Sequence, residues 1–476
     1  MHPMEKKMKK VELVFVSMPG VGHLVSTIEF AKTLINRCDH LFITIIVMKI
    51  PTIPFLNPYV QSIAASQPNI HFIHLPDQVD GLPPLTHAAK SIQSYYCAVI
   101  DCYKLYVKKI ISDVTSAGSV AGIVLDLFCG SLADIGSELS IPSFVFFTSG
   151  ALFLSFLLHL PARHQLVGSQ FAYSDPDMLV PGFVNLVPPS SLPEPCYNDV
   201  GGYAAYLKIA KGLMAAKGIL VNTFTELESH ALESLNNGEK NPNVYAVGPV
   251  LHLKSQPHPQ MNHGRWETIK NWLDQQPDES VVFLCFGSAG FLTLPQVNEM
   301  ALGLEQSGHR FLWSLRVPPA KNEEFKDAEE MLPEGFMGRI QGRGMVCGWA
   351  PQVEVLAHKA IGGFVSHCGW NSVLESLWYG VPTASLPLYA EQAINAFITV
   401  KELGLAVNLK MDYRPNRDVV TADEVKRALS CVMEADSEVR KKVKNMSEMA
   451  RNAVKEGGSS FSAVSQFIND LVGSSS

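Results

Sequence analysis

Short runs of β-branched and other apolar residues alternate along this chain with longer stretches whose apolar residues recur at helical spacing. This alternation predicts strands joined by helices, and therefore an α/β fold with parallel sheets. Two doubly wound, Rossmann-like domains of similar size are the simplest arrangement. The predicted strands form one series in each half of the chain: 11–17, 42–48, 122–128, 143–148, 218–224 and 244–250, then 280–288, 310–315, 362–367 and 382–388.

A polar stretch that begins LHLKSQPHPQ separates the two series and carries two prolines, which is typical of an interdomain linker. We therefore place an N-terminal domain at 1–250, a linker at 251–270 and a C-terminal domain at 271–455. The segment 456–476 begins with a GGSS stop and then shows helical periodicity. We expect it to form a last helix that packs back on the N-terminal domain.

Residues 141–162 contain no formal charge and require a test for a membrane span. Pro142 and the Thr-Ser-Gly sequence at 148–150 divide this segment into a strand, a turn and a short buried helix. A run of ten to fourteen apolar residues is more often core than span. We therefore expect no membrane span.

Overall composition narrows the function classes. The chain has 476 residues, too many for one core, with 47% hydrophobic and 17% charged residues. Its net charge of -7 implies no basic face, so nucleic acid is not expected as a partner. The nine cysteines are scattered without a CxxC pair, which argues against a disulfide framework and a zinc site and fits a reducing compartment.

The sequence GFVSHCGWNS at 363–372 joins a predicted strand to a predicted helix that closes at Gly380. The amino terminus of a helix offers unpaired N–H groups and a partial positive charge, which suit a phosphate group. His367 and the first-turn residues Asn371 and Ser372 add side-chain donors. Glu375 lies one turn further on the same face, where a carboxylate can accept two ribose hydroxyls. The alternative is a capped helix with an incidental histidine.

Two other predicted strand ends carry residues that suit the remaining parts of a nucleotide sugar. Trp349 follows GMVCG and offers a flat ring on which a base can stack, with the amide of Gln352 nearby. Glu391 and Gln392 follow the strand 382–388 and combine a carboxylate with an amide, as a hexose with several hydroxyls requires. The C-terminal domain is therefore predicted to bind a nucleotide sugar.

The turn after the first strand, SMPGVGHL, has a dinucleotide site as its obvious alternative. A third glycine is missing near Ser26, and the second strand ends without an acidic residue, so the dinucleotide fingerprint fails. His23 lies at the start of the following helix, and Asp126 lies near the end of another strand between two leucines. A His–Asp pair gives this carboxylate a partner and makes His23 a general base, although a structural histidine stays open. No GxSxG elbow or P-loop is present.

The sequence WAPQVEVLAHKAIGGFVSHCGWNSVLESLWYGVPTASLPLYAEQ at 349–392 resembles the 44-residue signature box of plant secondary-product UDP-glycosyltransferases, family 1. The rest of the chain is also similar, from PGVGH through FFTSGA and CFGS to the closing helix. The resemblance implies two Rossmann-like domains of the GT-B type. It also implies a metal-free displacement in which an acceptor hydroxyl attacks UDP-glucose and gives a β-glycoside, with UDP-glucose as co-substrate and no further cofactor.

The resemblance also assigns roles within the predicted donor site. A glutamine at position 392 favours glucose, whereas Glu391 departs from the Asp of many relatives, and the GSAGFL loop at 287–292 departs as well. The family pattern implies these contacts: uracil with Trp349 and Gln352, ribose with Glu375, the diphosphate with Ser288, His367, Asn371 and Ser372, and the sugar with Thr148, Trp370, Glu391 and Gln392.

The resemblance matches His23 and Asp126 to the catalytic dyad of the family. It implies a monomeric cytoplasmic enzyme that binds a small hydrophobic acceptor, a phenolic, flavonoid or terpenoid alcohol, in the N-terminal domain. A catalytically silent sensor that binds a UDP-sugar or an aglycone is the alternative. Apolar residues of the N-terminal domain are candidate acceptor contacts, although each could equally belong to the core: Met18, Phe128, Phe147 and Phe153.

Overall fold

The computed structural model describes residues 11–53, 57–77, 79–238, 241–254, 263–318, 327–410 and 419–473. Within these ranges the strands form two fully parallel sheets. The N-terminal sheet has the order β3-β2-β1-β4-β5-β6-β7. Its strands are β1 Val11–Ser17, β2 Leu41–Val47, β3 Ile70–His74, β4 Val120–Asp126, β5 Ser143–Phe147, β6 Gly218–Val221 and β7 Asn243–Ala246.

The C-terminal sheet has the order β10-β9-β8-β11-β12-β13. In each sheet the strand order reverses once, between β1 and β4 and between β8 and β11, which confirms the predicted pair of doubly wound domains. Its strands are β8 Val281–Cys285, β9 Arg310–Ser314, β10 Gly344–Cys347, β11 Ile361–Ser366, β12 Thr383–Ser385 and β13 Ala406–Asn408.

Helices cover the sheets and connect the strands. They are α1 Ser26–Ile35, α2 Asn57–Ser66, α3 Leu85–Ala88, α4 Ile92–Ala117, α5 Ala133–Leu139, α6 Ala151–Val167, α7 Gly202–Ala215, α8 Thr225–Asn236, α9 His263–Asp274, α10 Leu294–Ser307, α11 Phe336–Arg339, α12 Gln352–Leu356, α13 Trp370–Tyr379, α14 Gln392–Phe397, α15 Ala422–Met433, α16 Glu438–Ala453 and α17 Ser459–Gly473.

The strand register brings the carboxyl ends at both reversal points into line. In the N-terminal sheet Val16 of β1 pairs with Leu125 of β4, so the turn after β1 lies beside Asp126. In the C-terminal sheet Ser366 of β11 pairs with Cys285 of β8. Ligands of open α/β sheets bind in the crevice at such reversal points. The residues that follow these four strands are therefore candidate ligand-binding residues.

The edges of the sheets were the least predictable part of the fold. The short strands β3 and β13 were not predicted, because β13 has only three residues and the five residues of β3 mix histidines with apolar residues. The strands that end at residues 126, 221, 246 and 385 end two to four residues earlier than predicted.

The predicted linker at 251–270 overlaps a helix. Residues 255–262 of this prediction lie outside the described residues, and α9 begins at His263. Ile269 and Leu273, four residues apart on one face of α9, are buried in the core of the C-terminal half. The helix therefore packs as part of the C-terminal half. It was assigned to the linker because the residues around it are mostly polar.

The segment 141–162 folds as the strand β5 and the first part of α6. Its phenylalanines and all but one of its leucines are buried against other parts of the protein. No helix within the described ranges combines the length and the apolar character that crossing a membrane requires.

The last helix, α17, packs against the N-terminal sheet. Phe467 is fully buried, and its ring lies 5.1 Å from Phe144 and 5.7 Å from Tyr245, measured between ring centroids. Val464 and Leu471 on the same face belong to the same core. The chain therefore returns to its N-terminal half after completing the C-terminal one.

Replacing Phe467 should weaken this attachment strongly. Phe467→Ala removes a buried ring and leaves a cavity, which costs about 3–5 kcal/mol of unfolding free energy. Gln466→Ala, at the exposed neighbouring position, is the matched control. Urea unfolding followed by tryptophan fluorescence and circular dichroism measures both variants, and equal midpoints would contradict this packing role.

Candidate active site

The structure brings His23 and Asp126 into direct contact. His23 lies in the tight helical turn Val21–Val25 that follows β1, and its Nδ1 is 2.7 Å from Oδ2 of Asp126 at the end of β4. The other carboxylate oxygen, Oδ1, accepts a hydrogen bond from the backbone N–H of Phe128 at 3.0 Å. With Nδ1–H donated to the carboxylate, the Nε2 lone pair of His23 is left to accept a proton.

The surroundings of His23 favour its protonated form. Burial opposes the charge, but the charge and hydrogen bond of Asp126, with a further contribution from the Glu391 carboxylate, outweigh burial and raise the pKa of His23. The Thr148 hydroxyl lies 3.4 Å from Nδ1 of the same ring. An imidazole with a raised pKa is a stronger base, which suits the abstraction of a hydroxyl proton.

The amino end of α13 forms the opposite wall of the cleft. The backbone N–H groups of Trp370, Asn371 and Ser372 lie in the first turn, where a helix supplies them with no intrahelical partner. The Asn371 side-chain amide donates to the carbonyl oxygen of Gly22 at 3.3 Å, across the cleft. The predicted anion site therefore lies close to the turn that carries His23.

His367 is held between two glycines beside this helix end. A Cβ atom at Gly287 would lie 2.5 Å from Nε2 of His367, and one at Gly369 would lie 2.6 Å from it. Burial and the nearby positive charge of Arg316 lower the pKa of His367 to about 4. His367 is therefore neutral at pH 7 in the free protein.

Gln352, Ser372 and Glu375 form one hydrogen-bonded group below the helix end. The Gln352 amide donates to the Ser372 hydroxyl at 2.8 Å and to Oε2 of Glu375 at 2.7 Å. Burial raises the pKa of Glu375 to about 7, with the Gln352 bond acting in the opposite direction. The carboxyl group is poised to ionise when hydroxyl donors approach it.

The predicted sugar-binding residues have different environments. Glu391 precedes α14, and burial raises its pKa. The side-chain oxygen of Gln392 accepts from the backbone N–H groups of Leu388 and Tyr389, which leaves its NH2 group as the donor available to a ligand. The indole of Trp370 is 2% exposed and donates to the carbonyl oxygen of Asn222 at 2.7 Å, so its ring is used in packing.

One cavity of about 360 Å³ collects most of these groups. Ser288 and Trp349, which follow β8 and β10, also line it. Within the described residues, no group of three or more His, Cys, Asp or Glu side chains is arranged to hold a metal ion. The predicted site residues that line the cavity are His23, Thr148, Ser288, Trp349, Gln352, His367, Trp370, Asn371, Ser372, Glu375, Glu391 and Gln392.

Three of the four predicted acceptor contacts lie in the core instead of the cleft. Met18, Phe147 and Phe153 are 1%, 0% and 4% exposed and pack among other apolar side chains. Met18 follows β1, and Phe147 and Phe153 lie on the sides of β5 and α6 that face the core. The sequence alone does not show which side of an apolar strand or helix faces the core. Phe128 is half-buried, with its ring centroid 5.7 Å from that of His23.

Several cavity residues were not predicted from the sequence. Arg316 follows β9, and His252 and Lys254 come from the segment that joins the two halves. Nδ1 of His252 lies 2.7 Å from Glu29 of α1, which fixes the ring. Arg316 follows a strand of the C-terminal sheet, and this position could have identified it as a cleft residue. A single arginine after a strand is not part of a recognised sequence motif, however.

Comparison with known proteins gives consistent results. The family described as UDP-glucoronosyl and UDP-glucosyl transferase matches residues 239–453. UDP-glycosyltransferase 71K1 of Malus domestica is 49% identical, over 98% of this chain and 100% of that protein. The flavonol 3-O-glucosyltransferase UGT71C4 of Arabidopsis thaliana is 47% identical, over 97% and 98%. The crystal structure of Medicago truncatula UGT71G1 complexed with UDP-glucose superposes with a TM-score of 0.91 at 47% identity, over 97% and 98%.

The pKa values of His23 and His367 should lie on opposite sides of the ordinary value for histidine. In the free protein, His23 should titrate above it because of Asp126, and His367 should titrate near pH 4 because of burial. Asp126→Asn should lower the pKa of His23 and leave that of His367 unchanged. NMR titration of the imidazole resonances, assigned with His23→Gln and His367→Gln, measures both values. A His23 value that does not respond to Asp126→Asn would contradict the pairing.

Proposed function

Because this chain belongs to the plant family 1 UDP-glycosyltransferases, we propose that it transfers glucose from UDP-glucose to a hydroxyl group of a small aromatic acceptor. The observation that carries the proposal is the position of His23. Its ring, held by Asp126 at 2.7 Å, lines the same cavity as the amino end of α13. A base and an anion site thus face one another across a single cleft.

In this proposal the donor lies along the C-terminal wall of the cleft. The uracil stacks on Trp349, and the ribose hydroxyls donate to Glu375. The diphosphate accepts hydrogen bonds from the first-turn N–H groups of α13 and from Asn371, Ser372, Ser288 and His367. The glucose reaches Glu391, the NH2 group of Gln392 and the Thr148 hydroxyl, and these polar groups favour a hexose with several free hydroxyls.

The proposed chemistry is a single displacement at the anomeric carbon. Nε2 of His23 takes the proton of the acceptor hydroxyl while that oxygen attacks the carbon, and the bond to the diphosphate breaks with its electron pair leaving on UDP. Asp126 stabilises the imidazolium that forms. Attack from the face opposite the leaving group converts an α-linked donor into a β-O-glucoside. The imidazolium then loses its proton to solvent.

The leaving diphosphate is stabilised by fixed donors in this scheme. Preorganised N–H groups at a helix end are already aimed at the site where charge develops, and they need no reorganisation during the reaction. We therefore expect turnover without a metal cofactor, so that EDTA treatment leaves the rate unchanged. Loss of activity in EDTA that Mg²⁺ restores would overturn this part of the proposal.

A flat phenolic compound is the acceptor class that the proposal favours. Phe128 presents its ring beside His23, and Tyr96 meets Phe128 edge to face at a centroid distance of 5.7 Å. Such an aromatic border suits a planar aromatic ring whose hydroxyl points at the imidazole. The name of the Arabidopsis relative, a flavonol 3-O-glucosyltransferase, supports flavonols as the first acceptors to examine. Terpenoid alcohols form the second panel.

His23→Ala should abolish transfer without abolishing donor binding. General-base catalysis contributes about 10²–10⁴-fold, and the variant should lose rate by this factor because no other base replaces Nε2. UDP release and product mass are measured with UDP-glucose and a panel of flavonols. His71→Ala, on the exposed surface of β3, is the matched control. Full activity of His23→Ala would refute the base assignment, and donor binding without any hexose adduct from wild type would favour a sensor.

Binding of UDP-glucose should release a proton from Glu375. The carboxyl group has a pKa of about 7 in the free protein, and ribose hydroxyls that donate to the ionised form lower it. Affinity should therefore fall as the pH drops below 7, by up to about tenfold per pH unit. Calorimetry in two buffers of different ionisation enthalpy counts the protons. The pH dependence should disappear in Glu375→Gln, and an unchanged dependence there would exclude Glu375 as its source.

A further inference from the structure

The cavity contains a cation that the proposed mechanism does not use. Arg316 lies two residues beyond the end of β9, is half-buried and lines the cavity. Its guanidinium has five N–H donors and stays charged in proteins. No carboxylate forms an ion pair with it among the described residues, so its charge is not neutralised there by a side chain. A partly buried cation without such a partner must be stabilised by hydrogen-bond acceptors or by a bound anion.

Arg316 holds the loop that follows β8. Its Nη1 donates to the carbonyl oxygen of Ser288 at 2.8 Å, and its Nη2 donates to the carbonyl oxygens of Gly290, at 2.7 Å, and Gly287. Because a trans peptide directs its C=O and N–H to opposite sides, these bonds turn the following N–H groups away from the guanidinium. Three bonds from one side chain fix the orientation of residues 287–290.

The same loop is fixed from its other side by His367. Gly287 has φ of +70° and no room for a Cβ atom beside the imidazole. The loop is therefore held between the guanidinium of Arg316 and the ring of His367. Of these two side chains, Arg316 is the one that carries a positive charge at pH 7.

Arg316 also contacts the predicted base platform. Its guanidinium carbon lies 5.6 Å from the ring centroid of Trp349 and 4.8 Å from that of Phe291. A cation within about 6 Å of an aromatic ring is attracted to it. One side chain thereby links the loop after β8 to the aromatic residue after β10.

We propose that Arg316 is a positioning residue for the donor diphosphate, which holds the loop 287–290 in its binding conformation and brings a positive charge to the cavity. This inference rests on the proposed function, because it assumes that a nucleoside diphosphate occupies the cavity. The effect of the charge can be separated from that of the three hydrogen bonds to carbonyl oxygens by the substitution Arg316→Lys. Lysine keeps the positive charge but lacks the planar guanidinium group that makes the three hydrogen bonds.

The test compares UDP with uridine, which lacks the phosphates. Arg316→Met should weaken UDP binding by about 10–100-fold, because a charge-assisted interaction and the loop anchor are both lost. Uridine binding should change by less than about threefold, since stacking on Trp349 is retained. Arg316→Lys should fall between wild type and Arg316→Met. Arg339→Met and Arg339→Lys, at an exposed arginine paired with Glu305, are the matched controls.

Calorimetry measures the affinities, and thermal unfolding shows whether each variant is folded. If Arg316→Met does not fold, the comparison of UDP with uridine is made with Arg316→Lys. Equal losses for UDP and uridine, or no loss for either, would overturn the inference. Failure of the wild-type protein to bind UDP would instead overturn the proposed function. NMR titration supplies a second readout: His367 should titrate higher in Arg316→Met than in Arg339→Met, and an unchanged value would contradict the assigned charge.

Discussion

The geometry of the site depends on the contact that Trp370 makes between the two halves of the protein. Trp370, the first residue of α13, lies against Gly150 at the start of α6, where an added Cβ atom would be 2.6 Å from the indole. Its indole N–H donates to the carbonyl oxygen of Asn222, and Glu228 caps α6 by accepting from two backbone N–H groups. In the proposal, the amino end of α13 binds the diphosphate. The contact made by Trp370 therefore fixes the position of this helix end relative to the turn that carries His23.

The two histidines of the cavity have electrostatically opposite surroundings. Around His23 of the N-terminal half, Asp126 and the nearby Glu391, which belongs to the C-terminal half, favour a proton on the ring despite its burial. On the C-terminal side, burial and Arg316 remove the proton from His367. The proposed function gives the two histidines different roles: the ring of His23 gains a proton during the reaction, and the ring of His367 stays neutral and offers a hydrogen bond. Environment, and not residue type, makes this distinction.

The sequence was informative where the site is local and uninformative where packing decides. Most of the predicted donor residues lie in one continuous segment at 349–392, with Thr148 and Ser288 outside it, so their chemistry could be predicted without a structure. Phe147 and Phe153 were not separable from cleft residues, because an apolar side chain after a strand looks the same whichever face it takes. Arg316 was missed because its partners are backbone carbonyls, which leave no mark in a sequence.

In the proposed reaction, His23 and the diphosphate site act from opposite sides of the anomeric carbon. The measurement that tests this most directly is the anomeric configuration of the first product formed from UDP-glucose and a flavonol, observed by proton NMR during the reaction. A single displacement predicts only the β-glucoside at the earliest times. An α-glucoside as the first product would contradict the account, because retention requires two successive displacements or attack from the face that the diphosphate occupies.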